Sequence, residues 1–197
     1  DGFQLRPEKH VYFSYLSRAP DIEFSFFMAG VTGGGKYPKW GVQMPGNDWG
    51  LISLKSSDLG GDFQPGQSFI AWITMWKDNF KTAGWYVDNF MISYCKPSVL
   101  SVQSAGDGKV TLSWSKTEDI TTGDKLKGYR ITASEAPGLK YDEGQDVSGL
   151  LAATADSFAC ERKDDAKATY FTLWAELESG ARWHGINQVK VGPKPAE

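Results

Sequence analysis

Apolar residues recur at every second position through much of this chain. No stretch of about a dozen residues carries them at i, i+3, i+4 and i+7, the spacing of an amphipathic helix. In "IEFSFFMAG" the alternation puts Phe24, Phe26 and Met28 on one face. In "SFIAWITMW" it puts Phe69, Ala71, Ile73 and Met75 on one face and Ile70, Trp72 and Trp76 on the other. "KVTLSW" sets Val110, Leu112 and Trp114 against Thr111 and Ser113, and "YRITAS" groups Tyr129, Ile131 and Ala133. A period of two belongs to the extended strand, whose side chains leave opposite faces in turn. Turn-forming residues punctuate the runs: Gly33-Gly34-Gly35, Pro45-Gly46-Asn47, Gly60-Gly61, Pro65-Gly66, Gly106-Asp107-Gly108 and Pro137-Gly138. Many short strands with one apolar face each bury that face by stacking sheet on sheet. The expected fold class is therefore all-β, built of β-sandwiches.

A length of 197 residues holds one large domain or two of about 100 residues each. The best boundary is Lys96-Pro97-Ser98, because proline cannot donate to a central ladder and suits a linker or an edge. Aromatic density drops there as well, five of the eight tryptophans preceding residue 96. Two domains are expected, residues 1–95 and residues 96–197, the second ending in the short tail "VGPKPAE". The formal charge of −3, with both signs mixed along the chain, argues against nucleic acid, which demands clustered Lys and Arg. No apolar run is long enough for a membrane span. The abrupt start at Asp1 fits a mature secreted protein or a fragment of one. Cys95 and Cys160 are too few for a metal site, and one bridge or two separate thiols both remain open.

Two resemblances refine the fold. "GWYVDNFMI" resembles the closing strand of jelly-roll sandwiches, a group that includes carbohydrate-binding modules and the MAM-like or cleaved-adhesin domains of secreted bacterial proteins. From Pro97 to about Val191 the chain resembles a fibronectin type III domain: "GKVTLSW" is similar to its second strand, "LKGYRITAS" to its third, "ATYFTLWAELESG" to its sixth and "INQVKV" to its last. There is one departure. The family often places a core Tyr at the start of the sixth strand, where Thr169 stands here, and the inward set reads Phe171, Leu173, Ala175 and Leu177. That leaves Tyr170 and Trp174 facing outward, with Trp174 exposed and within reach of Arg130. Together the resemblances imply two tandem sandwiches, jelly-roll-like and then fibronectin type III-like, in a secreted or cell-surface protein.

The aromatic surplus of the first half points to recognition rather than catalysis. A pyranose ring has an apolar C–H face that a flat aromatic ring can cover, and Trp or Tyr adds a polar edge. Tyr37, Trp40 and Trp49 stand beside turn sequences, where side chains tend to be exposed. Trp72 and Trp76 share one strand face about 13 Å apart, a span suited to an extended sugar chain. These five are the candidate ligand-binding residues. Each has a plainer alternative as core packing, and a protein partner would use the same exposed rings as anchors. Asp88 in the closing strand is the candidate metal residue. The jelly-roll resemblance implies a structural calcium there, while the residue alone reads equally as a carboxylate that fixes loop amides. Only His10 and His184 are available as histidines, and no nucleophile or metalloenzyme motif occurs. Asp21, Glu23, Asp58, Asp78 and Asp88 stay open to glycosidase-type roles, since two carboxylates suffice there. The expectation is a non-catalytic glycan-binding domain followed by a spacer, with a protein-binding adhesin, or the non-catalytic tail of a secreted hydrolase or peptidase, as alternatives.

Overall fold

Fourteen strands and no helix make up the regular structure among the described residues of this computed structural model. The description covers residues 10–19, 24–31, 39–43, 45–46, 48–58, 69–74, 86–106, 108–138, 144–162 and 167–193. For residues 24–31, 39–40 and 69–74 it covers the backbone alone. The chain divides into two compact units, Asp1–Lys96 and Pro97–Glu197. No helix among the described residues is long and apolar enough to cross a membrane.

The first unit holds two three-stranded antiparallel sheets. In one, β1 (Tyr12–Arg18) lies between β4 (Gly50–Lys55) and β6 (Tyr86–Ser93). In the other, β2 (Phe24–Val31) lies between β3 (Lys39–Gln43) and β5 (Phe69–Thr74). Successive strands cross repeatedly from one sheet to the other, as in a jelly-roll-like sandwich. The centre of the first sheet is β1, "YFSYLSR". Phe13 and Tyr15 are fully buried on one face, and Tyr12 and Leu16 are 7% exposed on the other. Register explains the apolar face: Phe13 stands opposite Leu54 and Ile92, and Tyr15 opposite Ile52. On the other face Ser14 and Ser53 share a hydrogen bond of 2.8 Å, which satisfies a hydroxyl that burial would otherwise penalise. The far end is closed reciprocally: the Val11 N–H donates to Ser56 Oγ at 3.0 Å, and the Ser56 N–H donates to the Val11 carbonyl at 2.8 Å.

The second unit sets a three-stranded sheet, β7 (Leu100–Gly106), β8 (Lys109–Trp114) and β12 (Ser157–Glu161), against a larger one. The larger sheet runs β10 (Gln145–Asp146), β9 (Leu126–Ser134), β13 (Thr169–Leu177), β14 (Arg182–Val191), with β11 (Leu151–Ala152) also paired to β9. That is the strand order of a fibronectin type III-like sandwich. Leu100, Val110, Leu112 and Trp114 from the first sheet meet Tyr129, Ile131, Phe171, Leu173, Ala175 and Val191 from the second. The Trp114 ring lies edge-on to Tyr129 at 5.6 Å. Tyr129 Oη then accepts the Thr117 N–H at 2.9 Å, which ties the loop after β8 to the core. Gly128 lets β11 approach, since a Cβ there would collide with the Leu151 carbonyl.

Alternation assigned the inward set of β13 correctly, but the expected exposure of Trp174 is not what the structure shows. Trp174 lies on the outer face and is only 5% exposed. Its indole N–H donates to Thr132 Oγ1 at 2.9 Å, and its ring meets His184 edge-on. Its cross-strand neighbours are Arg130 and His184. Long polar side chains cover this face of the sheet, so facing outward does not mean meeting water. Beside it Glu176, with its side chain 5% exposed, accepts from Arg130 Nε at 2.7 Å, Lys127 Nζ at 3.0 Å and Arg182 Nε at 3.2 Å.

Both cysteines are free thiols, Cys95 buried and Cys160 half-buried. Burial pushes the Cys95 thiol up to about 12, against a smaller lowering by its hydrogen bond with Ser93. Burial also raises Cys160, which is less enclosed. Only the thiolate attacks, so the native chain should react with a disulfide reagent at Cys160 well before Cys95. Peptide mapping of the labelled chain at mildly alkaline pH would check this. Comparable early labelling at Cys95 would contradict it.

Candidate functional site

The closing strand β6 owes its shape to the pair Asp88-Asn89. Leu16 stands opposite Asp88 and Ser14 opposite Met91, so two residues of β6, Asn89 and Phe90, face the single residue Tyr15. This is a β-bulge, and Asn89 takes the left-handed conformation it requires, with φ of 53°. Asparagine tolerates that region better than most residues. The Asp88 carboxylate accepts the Asn89 N–H at 2.8 Å and so holds the bulge from within. The extra residue resets the alternation, and the Phe90 ring stacks on Tyr15 at 6.5 Å. Asn89→Val is expected to cost about 1–2 kcal/mol and Asn89→Gly much less, read from urea midpoints. Equal costs for the two would mean that the conformation is not the constraint.

Before and within the bulge β6 turns large apolar side chains to solvent. Tyr86 is 48% exposed, Val87 41% and Phe90 47%. Tyr86 stands opposite Arg18 at the end of β1, and the guanidinium lies over its ring, 4.8 Å from the centroid. On the other side of β1, Gly50 faces Ser17, and Trp49 immediately precedes it. The Ala19 N–H bonds the Gly46 carbonyl at 2.8 Å, which fastens the turn before β4 to this same end of the sheet. Trp49, 49% exposed, is thereby held beside the end of β1, with its backbone about 10 Å from that of Tyr86, two strand spacings away. Arg18 sits between them. Its Nε is buried with no hydrogen-bond partner, and among the described residues no carboxylate pairs with it. Asp48 and Asp88, both exposed, stand one residue before Trp49 and two residues after Tyr86.

Of the candidate ligand residues, Trp49 is exposed and belongs to this group. Trp40 and Trp72 fall in β3 and β5, where the backbone alone is described. Trp40 is in register with Phe27, and Trp72 with Met28, so the two positions take opposite faces of their sheet. Tyr37 and Trp76 lie outside the described residues, as does Trp85. Asp88 is exposed, and its carboxylate is engaged with its own neighbour's amide. Calcium takes about six to eight oxygens. Among the described residues no three acidic, His or Cys side chains gather, so those around Asp88 do not form such a cage. Arg18 and Tyr86 are the members that sequence reasoning missed. The signal was the cross-strand pairing of Arg18 with Tyr86, which only the register of β1 and β6 reveals.

No family model matches the sequence, and no curated protein matches it. Among solved structures, a β-1,2-glucanase from Parabacteroides distasonis gives a TM-score of 0.40 at 14% identity, over 100% of this chain and 29% of that one. The chicken CNTN1 FN1–FN3 domains give 0.40 at 14% identity, over 87% of this chain and 56% of that one. Pectate lyase PelI from Erwinia chrysanthemi gives 0.39 at 16% identity, over 48% and 28%. The chain thus spans less than two thirds of the length of each. The class defined here, two all-β sandwiches in tandem with the second fibronectin type III-like, rests on strand order and burial.

Proposed function

We propose that the first unit is a non-catalytic carbohydrate-recognition domain of a secreted or cell-surface protein, with the fibronectin-like unit as its spacer. One observation carries this reading: Trp49 and Tyr86 are exposed at one end of the β4-β1-β6 sheet, on either side of Arg18. Rings held at about two strand spacings offer apolar faces to a sugar chain, while Asp48, Asp88 and Arg18 supply acceptors and donors for its hydroxyls. The site is shallow, so the affinity of each site is expected to be weak. Native electrophoresis through gels containing neutral and acidic polysaccharides tests it. The chain should be retarded by at least one polymer, and Trp49→Ala or Tyr86→Ala should weaken the retardation about tenfold or more.

A second reading has its own observation. Val87 and Phe90, both exposed, lie on the face of β6 opposite to Tyr86, an apolar pair of the kind a protein partner would cover. Free migration through every polymer tested would favour that reading over the first.

A further inference from the structure

We infer that the sugar recognised at this end of the sheet is acidic, and that Arg18 receives its carboxylate; this rests on the carbohydrate reading above. A guanidinium carries five N–H donors and is always charged. Proteins normally meet those donors with carboxylates, carbonyls or water, because a buried nitrogen left unmet is costly. In the second unit Arg130 donates to both Glu176 and Asp146, and Arg182 donates to Glu176. Arg162 also has a buried Nε without a hydrogen-bond partner, but its Nη2 donates to the Lys167 carbonyl. Arg18 is different. Its Nε is buried without a hydrogen-bond partner, and no acidic side chain among the described residues pairs with it. Among the described residues its guanidinium lies over the Tyr86 ring. Stacking on an aromatic face holds the guanidinium plane, and with Nε buried it is the two Nη groups that are left to meet a ligand. A planar carboxylate is the group whose two oxygens match that pair.

The neighbours supply the rest of the recognition. Tyr86 and Trp49 are each about half exposed, at the same sheet end. A pyranose laid against the Trp49 ring brings the carboxylate on its C5 position toward the cation, whose guanidinium lies over Tyr86. Asp48 and Asp88, exposed and within two residues of Trp49 and Tyr86 in sequence, would repel a freely placed anion. The carboxylate is therefore accepted only where Arg18 neutralises it, and the two acids are left to accept from hydroxyls. This favours a uronate, a sugar ring with one carboxylate in a fixed place, over a densely charged polyanion.

The test uses the full chain and oligomers of glucuronate, galacturonate and mannuronate, each beside its methyl ester, which keeps the ring and removes the charge. At least one acid should bind about tenfold tighter than its ester, the worth of a charge-assisted hydrogen bond. Arg18→Gln should abolish that preference, and Arg18→Lys, which keeps the charge without the fork, should restore only part of it. Trp49→Ala should weaken acid and ester alike. Circular dichroism and melting confirm that each variant is folded, and the Lys variant answers the question if the Gln variant is not. Equal binding of acid and ester, unchanged in the Arg18 variants, overturns the inference and leaves the carbohydrate reading standing. Equal binding of a sulfated glucan overturns the assignment to a carboxylate. Failure to bind any sugar, charged or neutral, overturns both.

Discussion

Glu176→Gln is expected to lower stability by about 2 kcal/mol at neutral pH and to change almost nothing near pH 2. Hydrogen bonds from Arg130 and then Lys127, with a smaller one from Arg182, hold this carboxyl down at about 2, well below its ordinary 4.5. A depressed carboxylate stabilises the fold fully above its unfolded-state value. That stabilisation is lost as the pH falls from about 4.5 through about 2, where both states bind the proton. The displacement alone corresponds to about 3 kcal/mol, and solvent screening at the half-exposed Lys127 and Arg182 trims it. Glutamine keeps the shape but cannot neutralise three cations gathered on one face. Urea denaturation across this pH window should show the wild-type and variant curves converging in acid. A constant gap at every pH would mean that packing, not charge, is what Glu176 contributes.

Trp114→Ala is expected to cost more, about 3–5 kcal/mol, the range for a large aromatic removed from a core. Trp114 is 6% exposed and is packed edge-on against Tyr129. Removing it leaves a cavity beside Leu112, Ile131 and Phe171, which come from both sheets of the second unit and cannot all close in. It also frees Tyr129, whose hydroxyl anchors the loop after β8 through Thr117. Tyr129→Phe removes only that anchor and should cost about 1 kcal/mol. Denaturation midpoints check the order: a loss under about 1 kcal/mol for Trp114→Ala would mean that the core reading of this tryptophan is wrong.

How much of this was legible depends on how each strand meets its surroundings. The second unit read clearly where a strand buries one face alone, as β8 does, so Val110, Leu112 and Trp114 stand out against Thr111 and Ser113. β1 did not read, because both of its faces are buried. "YFSYLSR" therefore shows no apolar–polar alternation, and its serines bond across strands instead of meeting water, Ser14 with Ser53 and Ser17 with the Tyr86 carbonyl. Arg18 was missed with it. The pair Asp88-Asn89 stood out in the sequence as an anomaly within a strand, and its cause is a bulge, which no period-two pattern describes. Trp49 was legible because it follows a turn, where exposure is the rule. Trp49 and Tyr86 follow Arg18 by 31 and 68 residues and meet it only through register, and pairing of that range leaves no local mark.

The most direct measurement is a nitrogen-15 NMR titration of the full chain with the oligosaccharide that retards it best. The Trp49 indole N–H, the Arg18 Nε–H and the Tyr86 amide should shift together along one binding curve. Shifts confined to the second unit, around Trp183 and Lys190, with those three signals unmoved, would place recognition elsewhere and contradict the account.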